Sequence, residues 1–143
     1  MEQFDQQDIT IIPGMGCEAA ALAALGKSII PSYDTRFVMQ TAPLYLRDWD
    51  QMLEDMSKYP VSMVTYMVLK NPEKLFDGLK KVCPADMPCA AVYWAGFPEQ
   101  HIVRGTVADM GQKLSGEKED HMGILFIGRF LDGKPYEAAM KQQ

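Results

Sequence analysis

The stretch that most constrains the fold is PCAAVYWAGFPEQHIVRGT, residues 88–106. Ala90 to Trp94 form a short apolar run of β-favouring residues bounded by proline and glycine, which is typical of a buried strand. A second short strand is predicted over His101–Arg104, ended by Gly105. The two strands are joined by a loop that begins Ala95-Gly. Because small residues let a backbone come close to a flat ligand, this loop is the expected place for chemistry.

The rest of the chain alternates between strand and helix patterns. Strands are predicted over residues 9–12, 37–41, 61–69 and 122–127, and helices over residues 17–25, 49–58, 72–82 and 107–114. Asp48 and Thr106 are the expected capping residues of two of these helices. The order predicts an α/β fold: a single domain with a mixed, roughly five-stranded sheet packed by helices. The strands around Val64, Val92 and Leu125 are expected at its centre.

Length and charge limit the classes of function. A chain of 143 residues and 16.1 kDa suits one domain, predicted over residues 8–130, with a polar leader over residues 1–7 and a tail over residues 131–143. The net charge of -5 and the scattered basic residues argue against a nucleic-acid partner. No apolar run approaches the length of a membrane span. We therefore expect a cytoplasmic protein that binds neither nucleic acid nor membrane.

The cysteines and histidines predict no metal site. Cys17, Cys83 and Cys89 lack the spacing of a metal or redox motif, so they are expected to be small buried hydrophobic residues. His101 and His121 lie twenty residues apart with few acidic neighbours, which is a poor set of ligands.

The turn before the first helix is a candidate ligand site. Gly14 to Cys17 lead into an alanine-rich helix, whose first backbone N–H groups and dipole can bind a carboxylate. A plain connection between a strand and a helix explains the same residues, because the GMG sequence lacks a full nucleotide-binding pattern.

Four segments together resemble the C-terminal half of the tetrapyrrole (corrin and porphyrin) methylases. IIPGMGCEAAALAALG resembles that family's turn and alanine-rich helix, and MVTYMVLKNPEKL resembles its strand ending in Tyr-Met. AAVYWAGFPEQHIVRGTV resembles its strand and small-residue loop, and GILFIGRF resembles its closing strand. The segments span residues 9–130, in the family's order and spacing.

The resemblance implies a function and a set of site residues. Enzymes of this family transfer a methyl group from S-adenosylmethionine to a ring carbon of a tetrapyrrole, in a cleft between two domains, and are usually homodimers. No metal takes part, and no catalytic residue is assigned. Carried over by position, the cofactor contacts are Tyr66, Met67, Ala95, Gly123 and Ile124, and the turn bordering the cleft comprises Pro13, Gly14, Met15, Gly16 and Cys17.

The chain also departs from the family. The family's N-terminal domain, with its glycine-rich strand end and G-D-P loop, has no counterpart here, so the 143-residue chain is not expected to be active alone. A non-catalytic ligand-binding or assembly module is therefore the alternative, and an unrelated flavodoxin-like domain is a third. At residue level, Met67 can instead be a core methionine, Ala95 part of a plain loop and Gly123 a strand bulge.

Overall fold

A computed structural model describes residues 10–31, 35–43, 46–118 and 121–133. The five strands of this part are β1 (Phe37–Thr41), β2 (Val61–Thr65), β3 (Pro88–Tyr93), β4 (His101–Thr106) and β5 (Gly123–Ile127). Its α-helices are α1 (Cys17–Leu25), α2 (Trp49–Met56), α3 (Pro72–Val82) and α4 (Met110–Ser115), and a 3-10 turn follows at Arg129–Leu131.

The strands form one mixed sheet in the order β1-β2-β5-β3-β4. β1 and β2 are parallel, whereas β5 is antiparallel to both β2 and β3, and β4 is antiparallel to β3. The predicted fold class is thereby confirmed. The three strands expected at the centre are the inner ones, and the predicted direct return after Tyr93 is the β3–β4 pair.

Helices cover both faces of the sheet. On one face α2, α3 and α4 enclose the larger core, in which Phe76, Leu79 and Met110 are fully buried against Tyr93 and Leu125. On the other face α1 and the 3-10 turn cover a smaller core. Ala21 and Leu25 of α1 pack there with Val92, Phe126 and Phe130. The sheet is therefore the middle layer, and its strand ends remain open for a site.

The strand predicted over residues 9–12 is wrong for the residues described. Residue 9 lies outside them, and residues 10–12 have no strand structure. Ile11 is 87% and Ile12 85% exposed. An apolar run of this kind becomes a strand only where a neighbouring strand accepts its hydrogen bonds, and the described sheet has none beside it.

Two strands end earlier than predicted. β2 stops at Thr65 instead of residue 69, and β3 stops before Trp94. Met67 has φ 56° and Trp94 has φ 51°, a left-handed conformation that no strand contains. Apolar periodicity continues through both positions, so the pattern could not show where the backbone turns. Smaller differences occur in α2, which ends at Met56, and in β5, which begins at Gly123.

Gly105 does not end the second strand of the pair. It lies within β4 opposite Cys89, and the ladder continues to Thr106 opposite Pro88. The following helix begins at Met110 rather than residue 107, because Val107 donates its N–H to Met87 in a further strand-like bond of 2.9 Å. Half of the predicted capping arrangement forms, since the Thr106 N–H donates to Asp109 Oδ1 at 2.7 Å.

The segment after β5 is more ordered than a tail. Phe130 and Leu131 are buried. Arg129 donates to the Asp86 carboxylate at 2.9 Å and pairs with Asp132 at 3.5 Å, and these bonds hold the 3-10 turn against the sheet. Residues 134–143 of the predicted tail, and the predicted leader, lie outside the described residues.

Candidate ligand-binding cleft

A cleft of about 300 Å³ opens at one end of the sheet, where β2 and β3 finish and β5 begins. In sheets with parallel strands, ligands bind beyond the carboxyl ends of those strands. Its volume lies at the lower end of the range for small-molecule sites. The lining residues are Cys17, Tyr66, Met67, Val92, Trp94, Ala95, Phe97, His121, Met122, Gly123 and Ile124.

Two left-handed residues open this cleft, one on each side of β5. Met67 turns the chain away just after β2, and Trp94 does so just after β3. Non-glycine residues in this region cost of order 1 kcal/mol or more and persist where the surroundings hold them. The start of β5 is therefore left between two departing chains, with its backbone exposed to the cleft.

Gly123 forms the floor because no side chain fits there. A Cβ on Gly123 would collide with Leu69 Cδ1 and stand 2.8 Å from Tyr93 Cδ1. Trp94 donates its N–H to the Met122 carbonyl at 2.9 Å, which makes these two residues a hydrogen-bonded pair. Since such pairs alternate along an antiparallel ladder, the backbone groups of Gly123 point away from β3, toward the space that β2 leaves after Thr65.

The turn from Trp94 to Gln100 is held by its own hydrogen bonds. Phe97 donates its N–H to Trp94 at 2.9 Å, and Gln100 donates its N–H to Phe97 at 3.0 Å. The Gly96 N–H donates to the side-chain oxygen of Gln100 at 2.8 Å. Ala95 lies inside this turn and faces the cleft, so its position depends on these bonds.

Large apolar side chains surround the mouth of the cleft. Met67 is 65%, Phe97 58% and Met122 45% exposed. The rings of Trp94 and Phe97 meet edge to face, with centroids 6.0 Å apart. A mouth of this composition favours a flat or sulfur-bearing ligand over a strongly hydrated one.

The wall beside α1 carries the polar groups. Burial raises the pKa of the Tyr66 phenol, and the charges of Glu18 and Cys17 raise it further. The Cys17 thiol donates to Glu18 Oε2 at 3.9 Å. The Glu18 carboxylate lies beside Gly16 at the start of the helix, but no side chain of the described residues accepts a capping hydrogen bond there.

The prediction that all three cysteines are buried is wrong for Cys17. Cys17 is exposed in the cleft, Cys83 is partly buried and Cys89 is buried. Burial raises the pKa of Cys83 to about 11, and it also raises the pKa of Cys89. Cys17 differs because it is the first residue of a helix that begins at the cleft rather than in the core.

The structure brings all five predicted cofactor contacts to this one cleft. Of the predicted bordering turn, Cys17 lines the cleft, whereas residues 13–16 are exposed outside its lining. Two of the alternative interpretations are wrong. The exposure of Met67 excludes a core methionine, and Gly123 pairs with Tyr93 in an unbroken register, which excludes a bulge. The roles of these residues toward a cofactor stay predictions.

Sequence reasoning missed five further lining residues. They are Val92, Trp94, Phe97, His121 and Met122. One available signal was Phe97, an aromatic residue between glycine and proline in a turn where burial is not expected.

Other surfaces of the described residues offer less. A groove of about 400 Å³ between α2 and α3 is lined mainly by charges of both signs, including Glu73, Lys74, Asp77 and Lys81, and such solvated charges define no single ligand chemistry. Within the described ranges no His, Cys, Asp and Glu side chains cluster in threes as a metal site. None of the α-helices in these ranges could span a membrane.

The fold and the cleft define an α/β domain with a candidate small-ligand cleft at the strand ends of its sheet. The family model for Tetrapyrrole (Corrin/Porphyrin) Methylases matches residues 1–111. The chain belongs to this family, as the resemblance of its four segments predicted.

Two curated relatives are similar to most of this chain. The cobalt-precorrin-4 C(11)-methyltransferase of Methanocaldococcus jannaschii is 27% identical, over 94% of this chain and 55% of its own length. The precorrin-4 C(11)-methyltransferase of a Sinorhizobium species is 24% identical, over 89% of this chain and 51% of its own. The chain therefore spans about half the length of the curated relatives it matches.

Two solved structures share the fold. A cobalt precorrin-4 methyltransferase has a TM-score of 0.73 at 24% identity, covering 87% of this chain and 54% of its own. The uroporphyrin-III C-methyl transferase of Thermus thermophilus, complexed with S-adenyl homocysteine, has a TM-score of 0.63 at 15% identity. It covers 87% of this chain and 54% of its own.

Proposed function

We propose that this chain supplies the C-terminal half of the cofactor cleft of an S-adenosylmethionine-dependent C-methyltransferase that acts on a tetrapyrrole. The substrate class is a precorrin, a cobalt-precorrin or a uroporphyrinogen. The observation that carries the proposal is the convergence of Tyr66, Met67, Ala95, Gly123 and Ile124 on one cleft in a member of this family.

The residues of the cleft fit the adenosine part of the cofactor. Adenine is flat and has donors and acceptors on its edge, which suits the backbone groups of Gly123 beside the small Ala95. The apolar side chains of Met67 and Phe97 lie at the mouth, where they can exclude water. Aliphatic and aromatic walls with a few polar groups are the usual composition of such sites.

Methyl transfer requires little from the protein beyond binding and orienting the cofactor. The cofactor, when bound, supplies a methyl group on a positively charged sulfur. The residues of this chain hold the ligand in one orientation, and alignment of reacting atoms is itself a large part of catalysis. Tyr66 is the titratable side chain of the five and orients the ligand as a neutral hydroxyl, because a phenol is protonated at neutral pH and burial raises its pKa further.

The complete enzyme contains a second half. In this proposal an N-terminal methylase domain completes the cleft, the assembled protein is a cytoplasmic homodimer, and the isolated chain does not turn over substrate. The exposed Ile11, Ile12 and Met15 support a covered surface next to α1. Sedimentation at high concentration tests this, and a strictly monomeric profile contradicts self-association of the chain.

The test is a calorimetric titration with S-adenosylhomocysteine, the demethylated product, which binds without reacting. Saturable binding is expected from the wild-type chain. Ala95→Trp fills the cleft from a partly exposed position, so it should abolish binding while the protein melts as before. Equal affinity in the wild type and this variant refutes the placement of the cofactor. Absence of binding by both means that the N-terminal half supplies most of the affinity or that the chain is the non-catalytic module.

A further inference from the structure

The turn between β3 and β4 contains a bond that joins its two ends. The Gly96 N–H donates to Gln100 Oε1 at 2.8 Å, a length typical of a well-formed hydrogen bond. The bond joins two residues that are four positions apart in the chain. It is made by a side chain on the outer side of the turn, which does not line the cleft.

The turn needs such support because its backbone is unusual. Trp94 has φ 51°, which non-glycine residues seldom adopt, and Gly96 follows with φ 84°. Ala95, between them, faces the cleft. A strained segment keeps its conformation only where surrounding bonds determine it. The backbone bonds of Phe97 and Gln100 close the turn, and only the Gln100 side chain is bonded to the Gly96 N–H next to Ala95 among the hydrogen bonds described.

We infer that Gln100 is a positioning residue for the ligand of this cleft. Its side-chain oxygen fixes the Gly96 peptide and thereby orients the backbone of Ala95 and the ring of Phe97 toward the ligand. This role rests on the proposed function, because it assumes that the ligand binds against Ala95. Without the bond, the turn samples other conformations and the ligand must select the correct one, which lowers its apparent affinity.

Two variants separate the hydrogen bond from the size of the side chain. Gln100→Leu removes the acceptor and keeps a similar volume, and Gln100→Glu keeps an oxygen that accepts the Gly96 N–H. Gln112→Leu is the matched control, since Gln112 is exposed on α4 and does not line the cleft. Gln100 is itself exposed, so all three proteins should fold and melt close to the wild type.

Two measurements then test the inference. In the ligand-free protein, NMR-detected hydrogen exchange of the Gly96 amide should accelerate about fivefold in Gln100→Leu, the factor expected for one ordinary hydrogen bond, and stay unchanged in Gln100→Glu and the control. In titrations, the Kd for S-adenosylhomocysteine should rise about fivefold in Gln100→Leu alone.

Each outcome decides a different point. Unchanged exchange of the Gly96 amide in Gln100→Leu shows that the Gln100 side chain does not hold the turn and overturns the inference. Faster exchange with an unchanged Kd shows that the Gly96–Gln100 bond is structural only and overturns the positioning role. If the wild-type chain itself fails to bind S-adenosylhomocysteine, the proposed cofactor role fails together with the positioning role. The exchange result then still shows whether the Gly96–Gln100 bond holds the turn.

Discussion

Gly123→Ala tests whether close packing, rather than backbone freedom, requires glycine at the floor of the cleft. The added Cβ would overlap Leu69 Cδ1 and stand 2.8 Å and 3.0 Å from two ring carbons of Tyr93. Neither side chain can move away easily. Leu69 is 4% exposed, and Tyr93 is fully buried with its ring stacked on His101 at 4.6 Å. The methyl group must therefore displace the backbone of β5.

Overpacking of this kind costs about 1–3 kcal/mol in the free energy of unfolding. For a domain of this size, a loss of about 2 kcal/mol lowers the melting temperature by roughly 5–10 °C. Thermal and urea unfolding of the variant measure the change. Gly14→Ala is the matched control, because a Cβ on Gly14 meets nothing within 4 Å and the variant should melt within about 1 °C of the wild type or slightly above it. A Gly123→Ala protein as stable as this control refutes the packing argument.

Three further predictions concern the cleft and its surroundings. Cys17 should react with a thiol reagent at pH 8 and be protected by S-adenosylhomocysteine. Cys83 has a pKa of about 11, so about one Cys83 side chain in a thousand is a thiolate at that pH, and it should react only on unfolding. Equal labelling of the two cysteines in the folded protein contradicts this prediction. Met67→Gly should change the free energy of unfolding by less than about 1 kcal/mol, because φ 56° suits glycine, yet weaken binding of S-adenosylhomocysteine about tenfold. A titration and a melting curve of the same variant show whether affinity falls while stability is kept. Hydrogen bonding to Lys113 lowers the pKa of Asp109, so the ionised carboxylate stabilises the fold above the unfolded-state value near 3.8, and this stabilisation is lost as the pH falls through the lower folded value. Asp109→Asn should therefore flatten the acid end of a curve of unfolding free energy against pH, by less than about 1 kcal/mol because the ion pair is half exposed. A curve identical to that of the wild type contradicts this role of Asp109.

Gln100 and Gly123 support the same cleft in different ways. Gly123 provides space, because its missing side chain lets β5 approach Leu69 and Tyr93. Gln100 provides restraint, because its side chain fixes a turn whose backbone has two positive φ values. A binding site built from backbone groups needs both, since a backbone group can be aimed only by positioning the chain that carries it.

The Glu18 carboxylate changes the interpretation of the turn before α1. It lies beside Gly16, where the first N–H groups of the helix favour a negative charge. The cleft meets α1 through Cys17 and the neighbouring Tyr66 ring, because residues 13–16 lie outside its lining. A ligand on this side contacts a weakly polar wall.

Sequence patterns alone were enough to predict the order of helices and strands from residue 17 onward. Helix periods are local, and the segments that became α2 and α3 repeat them clearly. The alternation of elements also predicted the mixed sheet and its central strands. The site residues came from the resemblance to the methylase family, because a site made of small residues and backbone groups has no side-chain pattern of its own.

The tertiary structure decided what depends on neighbours distant in the chain. Residues 10–12 have the composition of a strand but no described strand to pair with, and Gly105 stays in β4 because Cys89 lies opposite it. The turns at Met67 and Trp94 likewise lie where β5 enters between β2 and β3. A strand ends where its partner ends, and pairing is a property of the assembled sheet, so local composition cannot determine it.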